Sequence, residues 1–193
     1  MPLTVLDNHT IDLGRLTPNG FALDVGARGF VWADTLRARG LRVYAIDPAP
    51  DLEAPPGVAF CNSALVGIGE GGNAILAQPA DPNAWHLTTT TGGIIVPTID
   101  ITDFMAAHRI DEWEAVKLNC EGAEIGILKT WPGPIAKQIT ASFHEHVWPA
   151  HGEEIPAVLD HLAQWYECVQ HPYDERHGSG LNHWDSCFIR REG

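Results

Sequence analysis

The chain has 193 residues, 45% of them hydrophobic and 19% charged, with a formal net charge of −13. That is enough apolar material for one packed domain, and an acidic surface repels phosphate backbones, so neither a disordered chain nor a nucleic-acid binder is expected. Cys61, Cys120, Cys168 and Cys187 lie far apart with no Cys-x-x-Cys pair, which argues against a disulfide framework and for a reducing, cytoplasmic setting.

In chain order, "MPLTVLDNHTIDLGRL" has its short apolar runs broken by charge and does not read as a signal peptide. No stretch approaches the length of a transmembrane helix, so no membrane partner is expected. "GFALDVG" predicts a strand closed by glycine, and "FVWADTLRARG" a helix with Gly40 as its C-terminal stop. "LRVYAIDPAP" predicts a second strand ended by Asp47 and Pro48, and "GVAFCNSALVG" a third. Strand, helix and strand within about 30 residues form a βαβ unit and imply a parallel sheet. The Gly-, Thr- and Pro-rich stretch from Gly69 to Gly93 predicts one short strand, at "NAILAQ", and then a loop. "TIDITDFMAAHRI" predicts a helix starting near Thr102 or Asp103, and "WEAVKLNCEGAEIGILKTW" a strand, tight turn and helix. "KQITASFHEHVW" is read as a strand, "EEIPAVLDHLAQWYE" as an amphipathic helix, and "YECVQHP" and "WDSCFIRR" as closing strands, the last antiparallel. No repeat or linker interrupts this pattern, which specifies a single doubly wound α/β domain over 1–193.

Ligands of such sheets lie beyond the carboxyl ends of the strands, where the strand order reverses. "DVGARG", Asp24 to Gly29, occupies one such end, and Asp47 ends the next strand. A carboxylate at Asp47 can accept the two hydroxyls of a ribose, a charged hydrogen bond worth roughly 1.5–3 kcal/mol. The dinucleotide fingerprint has a glycine where this chain has Asp24, and a carboxylate there would repel the pyrophosphate of a nicotinamide dinucleotide. It would favour a cationic ligand, and S-adenosylmethionine carries a sulfonium and an ammonium. The spacing alone also fits an ordinary tight strand-to-helix turn.

"ALDVGARGF", "RVYAIDPAP", "NSALVG", "TIDITDF" and "VKLNCEGAEIGIL" occur in the order found in the FkbM family of methyltransferases, which the chain resembles from about Phe21 to Leu128, and more weakly through "SFHEH". "VKLNCEGAEIGIL" resembles that family's Lys-Ile-Asp-x-Glu-Gly-x-Glu signature. The resemblance implies a class I, Rossmann-like α/β fold: one mostly parallel seven-stranded sheet with an antiparallel last strand. It also implies S-adenosylmethionine as cofactor and methyl transfer to a hydroxyl oxygen. Asp24 is placed with the cofactor by its charge. The resemblance adds Gly26, Gly29 and Asp47, with Arg28 in the same turn, and brings Asn62, Ser63 and Ala64 toward the adenine. The family commonly has asparagine where Arg28 stands, and Asn119 replaces the first acid of the signature. An amide keeps hydrogen bonding but is neither a base nor a good hard-metal ligand.

An alcohol acceptor needs a base. His144 and His146 share one face of the "SFHEH" strand; a histidine satisfied at the sheet rim is the plainer alternative. Glu121 can position or deprotonate a hydroxyl, whereas Glu124 suits helix capping. Lys117, inside a strand, suits a salt bridge with an acid. His144, His146, His151, His177 and His183 concentrate in the last third, but without strict spacing they predict no metal site. Trp85, Trp148, Trp165 and Trp184 are core candidates, Trp148 also a pocket wall. The expected protein is a cytoplasmic methyltransferase acting on a hydroxyl of a small molecule or sugar, with Asn119, Glu121 and His144 facing the acceptor. Little chain is left for a lid, so the loops at 69–93 and 172–183 supply acceptor contacts, with a homo-oligomer as a further source. A nicotinamide-dependent oxidoreductase and a non-catalytic cofactor-binding relative are the alternatives.

Overall fold

The computed structural model describes residues 3–77, 86–88, 93–144, 151–170 and 183–192. The chain opens on a hairpin, β1 (Thr4–Leu6) and β2 (His9–Ile11), turned by Asp7 and Asn8 at positive φ. Then come β3 (Phe21–Val25), α1 (Val31–Ala38), β4 (Arg42–Ile46) and β5 (Val58–Cys61). Four strands and a helix follow: β6 (Ala64–Val66), β7 (Gly72–Ala77), β8 (His86–Thr88), β9 (Ile94–Asp100) and α2 (Ile101–His108). The remainder is β10 (Ala115–Leu118), α3 (Glu124–Lys129), β11 (Gln138–His144), α4 (His151–Leu162), β12 (Tyr166–Gln170) and β13 (His183–Arg190).

The main sheet has the order β12-β13-β11-β10-β3-β4-β5. β5, β4, β3, β10 and β11 run parallel, and β13 runs antiparallel to both β11 and β12. The chain moves outward from β3 to β5 and re-enters on the other side of β3 as β10, so the order reverses between β3 and β10. The expectation of a single sheet is corrected by two others: the β1–β2 hairpin and a four-stranded sheet, β6-β9-β7-β8. "GVAFCNSALVG" is accordingly two strands. Asn62 donates its side-chain amide to the carbonyls of Asp47 and Ala49 at 2.9 and 2.8 Å, turning the chain out of the main sheet. β5 stays beside β4, while β6 pairs in parallel with β9. The Gly69–Gly93 stretch, read as mostly loop, supplies β7 and β8 to that second sheet.

Residues alternate between the faces of the main sheet as the strand period requires. Leu23, Val25, Val116, Leu118 and Ile139 pack with α2, α3 and α4. Ala22, Val43, Ala45 and Ala115 pack with α1 and Ile11. Each helix start has its own device. Asp100 caps α2 by accepting from the amides of Thr102 and Asp103, one position before the start expected from sequence. Phe30, at the start of α1, offers no capping side chain; the carboxylate of Asp24 takes the amide of Ala33 instead, at 3.1 Å. No described helix is long and apolar enough to cross a membrane.

Gly26 ends β3 at φ +70°, and a Cβ there would stand 1.7 Å from the carbonyl oxygen of Asn119. The left-handed conformation alone costs a non-glycine residue about 1–2 kcal/mol, and the facing atom is backbone. Gly26→Ala is therefore expected to destabilise the fold by more than about 2 kcal/mol, read as a lowered midpoint in urea unfolding. An unchanged midpoint would show that the two turns do not need this close approach.

Candidate functional site

The carboxyl ends of β3, β4 and β10 surround a cavity of about 100 Å³ at the point where strand order reverses. Ile46, Ala64, Leu65, Leu76 and Leu87 form its apolar wall; Asp7, Arg28, Asp47, Lys117, Asn119 and Glu121 supply polar groups. The second sheet thus serves as one side of the cavity, and the opening hairpin contributes Asp7. A second cavity, of about 440 Å³, lies alongside. Leu87, Glu121 and Ala123 line both.

Asp24 is not part of either lining. It is 1% exposed, its Oδ1 accepts a hydrogen bond of 2.7 Å from Lys117 Nζ, and its Oδ2 holds Ala33. The expectation that this carboxylate faces a cationic ligand is therefore corrected: its positive partner is a lysine of the neighbouring strand, set directly opposite by the β3–β10 register. Lys117 also donates to the carbonyl of Gly26 at 3.1 Å and itself lines the cavity. The salt bridge expected of Lys117 is present; its place in the cavity wall was not foreseen.

Asp47 does line the cavity. Its Oδ1 accepts from the amide of Ala49 at 2.9 Å, and burial pushes its carboxyl above the ordinary range, against that hydrogen bond and Arg28. Arg28 lines the cavity and leans to Asp51 at 3.6 Å. Gly29 stands outside the lining at φ +86°, where it makes the turn into α1. Of the "NSA" segment, Ala64 reaches the cavity; Asn62 spends its amide on the carbonyls below, and Ser63 receives the Cys61 thiol at 3.5 Å. Two of those three side chains thus brace the β4–β6 connection and do not form the wall.

The β10–α3 turn carries the acids. Glu121 adopts φ +50° and is a residue common to the linings of the two cavities. Glu124, fully buried, accepts from the amides of Cys120 and Gly122 at 2.7 and 2.8 Å. It locks the turn ahead of α3, where helix capping was expected of it. His144 Nδ1 lies 3.0 Å from Glu124 Oε1, and its Nε2 lies 3.5 Å from Glu121 Oε1. Burial disfavours the imidazolium, but the Glu124 carboxylate and its hydrogen bond, with Glu121 and Asp185, outweigh it and push the His144 pKa up to about 8. In the opposite sense, burial works against the Glu124 carboxylate and His144 overcomes it, leaving Glu124 below the usual range. With that proton held at neutral pH, and outside the lining of either cavity, His144 is placed to hold Glu121 and is not poised as a base.

A further polar group was missed in the sequence. His9 lies 3.1 Å from Ser142 Oγ, and the Ser142 hydroxyl donates to Asp185 in a short hydrogen bond. Burial first, and Lys117 second, lower the His9 pKa to about 4. The legible signals were Ser142 two positions before His144 on one strand face and Asp185 within the closing strand. His146, Trp85, Trp148 and His177 lie outside the described residues, as do the side chains of His151, His183 and Trp184. Among the described residues no group of three or more His, Cys, Asp or Glu side chains could hold a metal ion.

The family model described as Methyltransferase FkbM domain matches residues 24–168. No curated protein matches the chain. Solved structures with similar architecture include a TehB-like SAM-dependent methyltransferase from Corynebacterium glutamicum, 10% identical over 92% of this chain and 84% of that one, TM-score 0.46. Another is the 1,6-didemethyltoxoflavin-N1-methyltransferase of Burkholderia thailandensis, 17% identical over 91% and 72% of the two chains, TM-score 0.42. A third, from Streptococcus mutans in complex with SAH, is 12% identical over 91% and 89%, TM-score 0.41.

The His144 shift has a pH signature. A folded pKa of about 8 against 6.5 unfolded contributes about 2 kcal/mol of stability, fully present below pH 6.5 and lost as pH rises through about 8. Unfolding free energy measured from pH 6 to 9 is expected to fall by that amount in the native protein and to stay nearly flat in His144→Gln. Parallel slopes for the two proteins would contradict the shift.

Proposed function

Because this chain belongs to the FkbM methyltransferase domain family and uses S-adenosylmethionine as cofactor, we propose that it methylates a hydroxyl oxygen of a small-molecule acceptor, a sugar or another polyol. The observation that carries the reading is the position of Glu121 in the shared wall of the two cavities. One cavity has the fittings for an adenosyl ligand: the buried acid Asp47 at the end of β4 and an apolar wall from Ile46, Ala64 and Leu65. The adjoining one is lined by Glu70, Lys129, Thr130 and Glu154 around the glycines Gly67, Gly122 and Gly126, groups that hydrogen-bond hydroxyls well.

Bound S-adenosylmethionine supplies a methyl group already activated on a sulfonium. The chain's own work is alignment, exclusion of water and removal of one proton. Asp47 holds the ribose hydroxyls. Asn119, at the end of β10, orients the acceptor with its amide. Glu121 accepts the acceptor's hydroxyl proton as the new carbon–oxygen bond forms and the carbon–sulfur bond breaks. His144, protonated and anchored by Glu124, fixes the rotamer of Glu121. The nicotinamide alternative loses its footing with family membership.

Glu121→Gln is expected to lower kcat by about 10²- to 10⁴-fold while the dissociation constant for S-adenosylmethionine, measured by calorimetry, stays within about threefold. A full rate in that variant would remove Glu121 from the chemistry. Asp47→Asn is expected to do the reverse, weakening cofactor binding about ten- to a hundredfold. Radiolabelled methyl transfer across a panel of sugars and polyols should give alkali-stable ethers. Label recovered only in alkali-labile esters, or only on nitrogen, would overturn the hydroxyl acceptor.

A further inference from the structure

The cofactor's aminocarboxypropyl chain ends in a carboxylate, which must find a positive group or amide donors when it leaves water. Among the described residues, two cations line the first cavity, Arg28 and Lys117. Arg28 is partly exposed, its side chain 28% accessible, and pairs with Asp51 at 3.6 Å. Lys117 is 2% exposed and comes from the centre of the sheet, beside the β3 turn. An ammonium has three N–H donors. Asp24 Oδ1 and the Gly26 carbonyl take two of them, at 2.7 and 3.1 Å, and Lys117 is one of the residues that line the cavity. The two bonds also fix where it stands, so little side-chain entropy is left to lose on binding.

We infer that Lys117 is the cofactor-binding cation that receives the carboxylate of the aminocarboxypropyl chain. Asp24 then positions Lys117 and does not touch the cofactor. This rests on the reading of the first cavity as the cofactor site, and the test separates the two. S-Adenosylhomocysteine carries the carboxylate; 5′-methylthioadenosine shares the adenosyl thioether and lacks it. Their dissociation constants are to be measured by calorimetry on the native protein, on Lys117→Met/Asp24→Asn and on Arg28→Met. The double substitution is chosen because Lys117→Met alone would strand a buried carboxylate.

The native protein is expected to bind the homocysteine nucleoside at least tenfold more tightly. The double variant should lose ten- to a hundredfold in that affinity and keep its affinity for 5′-methylthioadenosine within about threefold. Arg28→Met should leave the ratio of the two affinities unchanged. Equal losses for both nucleosides in the double variant would make Lys117 a structural strut only, and a collapsed ratio in Arg28→Met would move the role to Arg28; either overturns the inference. Native protein that binds neither nucleoside overturns the cavity reading and this inference with it. Should the double variant not fold, a crystal structure of native protein with S-adenosylhomocysteine decides. Lys117 Nζ within about 3 Å of the carboxylate is the expected result, and a carboxylate held elsewhere the contrary one.

Discussion

The buried ion pair between Lys117 and Asp24 organises the carboxyl end of the sheet. Both partners are almost wholly buried, and removing one partner of such a pair typically costs about 3–5 kcal/mol because the other charge is left stranded. What the pair gives in return is definition. One carboxylate oxygen fixes the lysine and the other fixes the first turn of α1; the lysine in turn fixes the glycine carbonyl between them. Strand, turn, helix and the neighbouring strand are therefore set by two side chains placed opposite each other by register. The cavity at the switch in strand order inherits its shape from that arrangement.

A second charged group governs the turn after β10. Glu124 gathers two backbone amides and the imidazole of His144, so the unfavourable φ of Glu121 is held from below. Backbone strain of this kind persists where the surroundings over-determine it, and functional sites are where it concentrates. Here it sets the one acid common to both cavities. The two polar clusters share a logic: a fully bonded carboxylate, Asp24 or Glu124, sits beneath a group that faces the cavity, Lys117 or Glu121.

Much of this was legible in the sequence, and the rest was not for definite reasons. Apolar runs with glycine stops marked the central strands, because burial on both faces leaves a continuous hydrophobic signature. The break at Asn62 was missed because its cause is a pair of hydrogen bonds to Asp47 and Ala49, more than ten positions earlier. The role of Asp24 was misjudged because one chain cannot reveal which lysine will stand opposite it; Lys117 is 93 positions away. Glu121 and Asp47 could be placed at the cavity's edge from sequence because each closes a strand or opens a turn at the end where ligands collect. His144 was expected as a base facing the acceptor; its protonation depends on Glu124 being wholly buried, which only packing decides.

The β1–β2 hairpin lies ahead of residue 24, where the family match begins. Yet it lends Asp7 to the cavity wall and His9 to the cluster around Ser142 and Asp185. Removal of this hairpin alone would leave every quoted motif in place and still take a piece of the pocket wall, exposing the polar seam between β11 and β13 to solvent. The wall of this cavity therefore reaches beyond the residues that the family match covers.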